Sequence, residues 1–251
     1  MYRKIEDVKP WYESWFNSKY YHILYQNRSH AEAEAFIDKL FEFLNLTKTS
    51  FVVDMACGKG RHANKIAELG YKTIGLDLAE DSITSAKQNA KAHSAFFVHD
   101  MLQSPKDIFT NADIVLNLFT SFGFFKSLEN HEKVIHNFGH CIKQNGLFLF
   151  DFMNVQKVIN ALNKEEVKTL NGIEFHITRR IENDMILKTI KFQDEGKSYE
   201  FTEEVFGLTL AHFQTMFNSA NFKIIETFGD YDLNTYQPDH SSRLIILAQK
   251  Q

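Results

Sequence analysis

Phe51-Val52-Val53-Asp54-Met55-Ala56-Cys57-Gly58-Lys59-Gly60-Arg61-His62-Ala63 reads as a buried strand, a glycine turn and the start of a helix. Gly58 and Gly60 carry no side chain, so a small cofactor can lie directly against the backbone of that turn. The first N–H groups of the following helix have no partner within the helix and suit a polar or anionic part of a ligand. A second acid, Asp77, ends the next apolar run, Thr73-Ile74-Gly75-Leu76-Asp77-Leu78, 23 residues beyond Asp54. An α/β nucleotide-binding unit presents a carboxylate to a ribose at about that spacing.

The rest of the chain extends the alternation. Ser29-His30-Ala31-Glu32 resembles a capping box ahead of Phe36, Ile37, Leu40, Phe41 and Leu44 at helical spacing. After the strand at 51–55 the pattern predicts a helix to Gly70, a strand at 73–78, a helix over 80–92 and a strand at 95–98. A strand at 112–118, a helix over 129–143 and a strand at 147–152 follow. Continuous apolar strands alternating with helices predict a mostly parallel sheet covered on both faces. Beyond 155 the pattern changes. Segments 173–181, 184–193 and 197–206 read as short strands around Asn183-Asp184 and Glu195-Gly196 turns, an antiparallel insertion. Thr209 begins a helix ending near Asn221, and strands at 222–228 and 243–248 are close enough in sequence to pair antiparallel. The expected organisation is one domain: an N-terminal lid and helix (1–45), a cofactor-binding core (46–154), the insertion (155–206) and the last part of the core sheet (207–251).

Composition narrows the function. The 251 residues are 44% hydrophobic and 24% charged with net charge −4, an ordinary globular balance without the basic footprint of a nucleic-acid binder. The 24 Phe and 9 Tyr exceed what a core alone needs and leave aromatics for an apolar pocket. Two cysteines, Cys57 and Cys141, are too few for a disulfide framework. With no signal-peptide pattern and no run long enough to span a membrane, the expected setting is cytoplasmic, with no membrane partner. No metal-ligand cluster is read, and the sequence does not choose between monomer and homodimer.

Five ordered stretches together resemble the class I S-adenosylmethionine-dependent methyltransferases. Asp54-Met55-Ala56-Cys57-Gly58-Lys59-Gly60 is similar to that family's first motif, with Ala56 where glycine is common. Gly75-Leu76-Asp77-Leu78 is similar to its acidic second-strand motif. His99-Asp100-Met101 resembles the acid-plus-apolar pair after the third strand. Asp113-Ile114-Val115-Leu116-Asn117 resembles the fourth-strand motif, and Asn145-Gly146-Leu147-Phe148-Leu149-Phe150-Asp151 the late Gly-Gly-x-Leu-x-x-Asp element. The resemblance covers about 45–152 and 205–250. It implies an α/β, Rossmann-like methyltransferase fold: a seven-stranded mostly parallel sheet of order 3-2-1-4-5-7-6, its seventh strand antiparallel.

It also implies the cofactor, S-adenosyl-L-methionine, with S-adenosyl-L-homocysteine as product. The chemistry of the residues agrees. Asp54 suits the cationic methionine tail, Asp77 the two ribose hydroxyls, and Asp100 the adenine amino group, with Met101 and Leu78 flanking the ring. Ala56, Cys57, Gly58, Gly60 and Arg61 complete the turn, and Asn117, Leu118 and Phe119 close the site from the fourth strand. In relatives with the pattern Tyr20-Tyr21-His22…Tyr25…Arg28, such a segment closes over the cofactor, which brings Tyr21 and Arg28 to the cofactor as well. Phe122, Phe124, Tyr231 and Arg243 are expected around the acceptor. His22 and His240 are the two candidate bases, although methyl transfer needs mainly alignment and dryness.

The expected reaction is N- or O-methylation of a small molecule. No Asn/Asp-Pro-Pro-Tyr/Phe element follows the fourth strand, and no Pro-Cys pair occurs, so the motifs of base-methylating enzymes are missing. Two other readings stay open. One is an S-adenosylmethionine-binding protein without catalysis. The other is an NAD-type oxidoreductase, since Gly58-Lys59-Gly60-Arg61-His62-Ala63 also fits the dinucleotide fingerprint. Asp54 argues against the latter, because a carboxylate repels a pyrophosphate.

Overall fold

The computed structural model describes residues 11–26, 30–160 and 162–251. Its centre is a seven-stranded sheet built from β1 (Phe51–Met55), β2 (Lys72–Asp77), β3 (Ser94–Val98), β4 (Ala112–Asn117), β5 (Ile142–Met153), β10 (Phe222–Phe228) and β11 (Arg243–Lys250). The strand order is β10-β11-β5-β4-β1-β2-β3. The first five strands are parallel, and β11 runs antiparallel to both β5 and β10. This is the expected order 3-2-1-4-5-7-6 with the last strand reversed.

The helices on its faces are α3 (His30–Leu44), α4 (Arg61–Glu68), α5 (Glu80–Gln88), α6 (Leu128–Gly139) and α8 (Leu210–Ser219). Residues of α3 and α4 pack with β1, β4 and β11 in one apolar layer, which contains Phe36, Ile37, Leu40 and Ile66. Phe138 of α6 and Phe213 and Phe217 of α8 pack against Phe148 and Phe150 of β5 on the opposite face. Most of the abundant phenylalanine is spent here. Strand β5 begins at Ile142, where the sequence pattern extends the preceding helix to 143. The helix ends at Gly139, where a Cβ would come within 2.8 Å of the Phe222 ring, so the position needs glycine for α6 to pack against β10.

The insertion is a four-stranded antiparallel sheet: β6 (Glu165–Leu170), β7 (Ile173–Glu182), β8 (Met185–Asp194) and β9 (Lys197–Phe206). Each of its hairpins turns on two residues with positive φ: Asn171-Gly172, Asn183-Asp184 and Glu195-Gly196. That geometry suits the right-handed twist of paired strands and explains the Asn, Asp and Gly at these points. The sequence reading has three strands here and lacks β6. A short helix, α7 (Val155–Asn160), links β5 to the insertion.

Residues 11–24, within the expected N-terminal lid, form two short helices, α1 (Trp11–Phe16) and α2 (Lys19–Leu24). They dock on the insertion rather than on the central sheet. Trp15, Tyr20 and Leu24 are buried against Ile173, Phe175, Ile177, Ile190 and Phe192. Tyr20 and Lys19 both reach Asp194, at 2.8 and 3.1 Å. The two short helices and the four-stranded sheet thus share one apolar core.

Candidate active site

A cavity of about 1490 Å³ lies over the C-terminal ends of β1 and β2, with a wall from the central sheet and a wall from α1, α2 and the insertion. We call these the floor and the roof.

The floor is organised by backbone bonds to two acids. The chain leaves β1 through Ala56 (φ 61°), Gly58 (φ 56°) and Gly60 (φ 78°), all left-handed. Asp77, at the end of β2, accepts the Gly58 N–H on Oδ2 at 2.8 Å and the Ala79 N–H on Oδ1 at 2.9 Å. Each oxygen keeps a lone pair for a hydroxyl. A Cβ built on Gly58 meets nothing within 4 Å, so this glycine faces open space. Gly60 has another role: a Cβ there would come within 2.6 Å of the Phe96 ring, so its small size lets α4 pack against β3. It does not line the cavity, contrary to the sequence expectation.

Asp54 is 1% exposed and, like Gly60, is not part of the cavity wall; it lies behind the turn, and its Oδ2 has no hydrogen-bond partner among the described residues. Burial first, and then the Asp77 charge, push its carboxyl up to about 7, with Arg61 and the Ala63 N–H pulling the other way. Burial also raises Asp77, opposed by its backbone N–H partners. An orphaned carboxylate oxygen behind an open glycine turn is suited to a cationic ligand. The cofactor's ammonium and ribose hydroxyls, all hydrogen-bond donors, therefore fit the carboxylate acceptors present. Asp100 follows the same pattern, with Oδ1 accepting the Leu102 N–H at 2.9 Å, and Leu78, Asp100 and Met101 all line the floor.

Between floor and roof stands the turn after β4. Leu118, Phe119, Ser121 and Phe124 line the cavity. Phe119 and Thr120 both have left-handed backbones, at φ 61° and 59°. This arrangement is strained for non-glycine residues and persists only where surroundings over-determine it. Asp151 supplies the determination. Fully buried on β5, it takes the Phe119 N–H on Oδ2 at 2.8 Å, and its carbonyl takes the Thr120 N–H at 2.9 Å. Arg243 Nε binds Asp151 Oδ1 at 2.7 Å, and its Nη2 reaches Thr120 Oγ1 at 2.8 Å. Tyr231 donates its hydroxyl to Asp151 Oδ2 at 3.0 Å and stacks on Phe119 at 5.4 Å. Tyr231 and Arg243 line the cavity, but their polar atoms are engaged in holding this turn. Arg61 lies over the other side of the Phe119 ring at 4.2 Å, with His62 packed beside it.

Three further expectations are corrected. Asn117 is fully buried off the cavity wall, donating to the Met55 and Ser121 carbonyls at 3.1 and 3.3 Å. Phe122 sits in the core against Phe150 and His131. His240 is exposed on a loop away from the cavity, where its carbonyl accepts from Lys157. Arg28 lies outside the described residues. Tyr21 and His22 line the roof, and burial followed by the nearby Lys59 charge lowers His22, which favours a neutral imidazole. Ala56, Cys57 and Arg61 line the floor as expected.

Tyr25 of the expected lid pattern lines the roof too, which also contributes residues that the sequence did not reveal: Trp11 and Phe16, and Arg179, Lys188 and Glu203 from the insertion. One signal for the last group was visible. Ile186, Lys188, Ile190 and Phe192 share a face at period two, and a lone lysine in an apolar stripe calls for a partner.

The floor geometry and sheet order define an S-adenosylmethionine-dependent methyltransferase. A methyltransferase domain family model matches residues 46–220, and the chain belongs to that family. It is 24% identical over 257 residues to a glycine/sarcosine N-methyltransferase of Aphanothece halophytica, covering 98% of this chain and 90% of that one. An S-adenosylmethionine-dependent methyltransferase from Clostridium acetobutylicum superposes with TM-score 0.75 at 16% identity, over 92% of this chain and 96% of that one. An amino pentose methyltransferase from Micromonospora echinaspora, solved with S-adenosylmethionine bound, gives TM-score 0.68 at 15% identity, over 93% and 98% of the two chains. Among the described residues no helix is long and apolar enough to cross a membrane.

Proposed function

We propose that this methyltransferase acts on the amine nitrogen of a small molecule bound between the floor and the roof. The observation that carries this reading is the roofed chamber itself. Its wall opposite the cofactor turn is built from α1, α2 and the insertion, and the cavity has room for a small acceptor beside the cofactor. The names of relatives, a glycine/sarcosine N-methyltransferase and a sugar N-methyltransferase from Streptoalloteichus, support nitrogen over oxygen.

When bound, S-adenosylmethionine supplies a methyl group on a sulfonium already activated for displacement. Asp77 accepts from the ribose diol, Asp54, buried behind the turn, supplies the negative charge that attracts the ammonium, and Asp100, Met101 and Leu78 receive the adenine. Gly58 lets the ligand reach the backbone. Phe119, fixed by Asp151, separates this half from the acceptor half and helps exclude water. On the roof, His22 is the base that remains of the two candidates, neutral and able to take a proton from an ammonium acceptor. The test is incubation with methyl-labelled S-adenosylmethionine and a panel of small amines and alcohols. Label on nitrogen is the expected result; label confined to oxygen, or to none of the panel with the cofactor bound, contradicts the reading.

A further inference from the structure

The inner face of the insertion sheet carries one charged rung between two apolar ones. Pairing register sets Arg179 opposite Lys188, and Lys188 opposite Glu203. The rung on one side is Ile177, Ile190 and Phe201; on the other it is Ile181, Ile186 and Val205. The three charged side chains all line the cavity. Ionised groups on an apolar face lose hydration, a cost that only close partners offset.

The partners do not balance. Arg179 is held by Glu166 at 2.5 Å and by the Asn163 carbonyl at 3.2 Å. Lys168 shares the same Glu166 at 3.0 Å. Glu203 accepts from Trp15 Nε1 at 2.7 Å and from the Tyr25 hydroxyl at 2.6 Å, and Lys188 approaches it at 3.5 Å. Among the described residues Lys168, Arg179 and Lys188 thus pair with two acids, Glu166 and Glu203, an excess of one positive charge. An ammonium offers three N–H donors. Lys188 directs one to the Tyr25 hydroxyl at 2.5 Å and one toward Glu203, which leaves one.

We propose that Lys188 anchors a carboxylate carried by the acceptor. The inference rests on the amine-methylation reading above and adds the chemical class of the substrate: an amino acid-like molecule with its anion at the roof and its nitrogen toward the floor. The single excess charge matches a carboxylate rather than a phosphate dianion. Arg179, already paired, adds to the field without making the contact. The competing role for Lys188 is a latch that holds α2 through Tyr25.

The test uses the full chain loaded with S-adenosylhomocysteine and titrated by NMR with sarcosine and with sarcosine amide, which share the amine and differ in the carboxylate. The acid should bind the wild type roughly tenfold or more tighter than the amide, as a charged hydrogen bond implies. That preference should vanish in Lys188→Met, return in Lys188→Arg, and widen in Glu203→Gln, which removes a competing acid. Equal binding of the two probes, binding of neither, or a preference that Lys188→Met leaves intact overturns the proposal. A latch would move both probes together in Lys188→Met and Glu203→Gln, and that result overturns it too. The readout is binding alone, so failure of the amine-methylation reading shows separately, as an acid preference without labelled methyl transfer to any amine.

Discussion

Floor and roof meet across one cavity and are held by different forces. On the floor, backbone N–H groups converge on Asp77 and Asp100, and a fully buried Asp151 holds the turn that carries Phe119. These contacts run either within one loop, as at Asp77–Ala79 and Asp100–Leu102, or between a strand and the loop directly after its neighbour, as at Asp77–Gly58 and Asp151–Phe119. On the roof, aromatic side chains and ion pairs join segments far apart in sequence: Trp15 to Glu203, Tyr20 to Asp194, Tyr25 to Lys188. A backbone-built floor can recognise one invariant ligand. A side-chain-built roof can change its partner by substitution while the floor stays as it is.

If that division is right, single changes should damage one half and spare the other. The largest effect is expected at Gly58. Gly58→Val places a branched side chain in the open space of the floor, so S-adenosylhomocysteine binding should be lost in calorimetry. The fold should survive with a penalty of about 1–2 kcal/mol from the left-handed backbone. Gly60→Val, in the same turn, should instead unfold the domain through its clash with Phe96.

Trp15→Ala attacks the roof. It empties a nearly fully buried indole site in the shared core and should cost about 3–5 kcal/mol in denaturant unfolding. Cofactor affinity should move little. A loss of affinity as large as that of Gly58→Val would mean that the two halves are one cooperative site. Because α1 and α2 share the insertion's core, their removal should destabilise that sheet rather than leave an intact body without its lid.

Asp77→Ala removes the ribose acceptor and the partner of two loop amides. Charged hydrogen bonds of this kind contribute about 1.5–3 kcal/mol, so affinity should fall roughly 10- to 150-fold. An unchanged dissociation constant would remove Asp77 from the site.

A smaller, graded effect comes from Asp54. Its folded carboxyl titrates near 7, above its ordinary value of 3.8. Below pH 7 the ligand-free protein therefore carries it neutral, and a neutral carboxyl cannot answer the cofactor's ammonium. Affinity should weaken as pH falls below 7, by up to about tenfold per unit. Stability runs in the opposite direction. The folded chain holds this proton more tightly than the unfolded chain, so ionisation removes stability as pH rises from about 4 to 7. Asp54→Asn should flatten the contribution to both profiles, and a wild-type affinity profile already flat over this range would contradict it.

The contrast also explains what could be read from the sequence. The floor is local: Asp54, Gly58, Asp77 and Asp100 sit at strand ends, and strand ends are marked by apolar runs that stop. The order of the central sheet followed from the resemblance, and the alternating pattern had already implied parallel strands. Gly60 and Asn117 sit in the same motifs yet serve packing, because a motif fixes the backbone path and not which side of it meets the ligand. His240 and Phe122 were placed by proximity in sequence to cavity residues, and a loop or a strand end can turn either away. The roof was nearly silent. Its helices are only six residues each, too short for a periodic signal, and its polar contacts bridge more than 150 residues. Strand β6 was missed although Asn171-Gly172 is a strong hairpin signal, since its own residues, Glu165–Leu170, are mostly exposed and polar.

The claim that the floor alone receives the cofactor is tested most directly by amide hydrogen exchange with and without S-adenosylhomocysteine. The account predicts slowed exchange at Ala56–Arg61, at Leu78–Ala79 and at Met101–Leu102, with β7 and β8 unchanged. Protection concentrated in α1, α2 and the insertion, with the Gly58 turn indifferent to ligand, would contradict it.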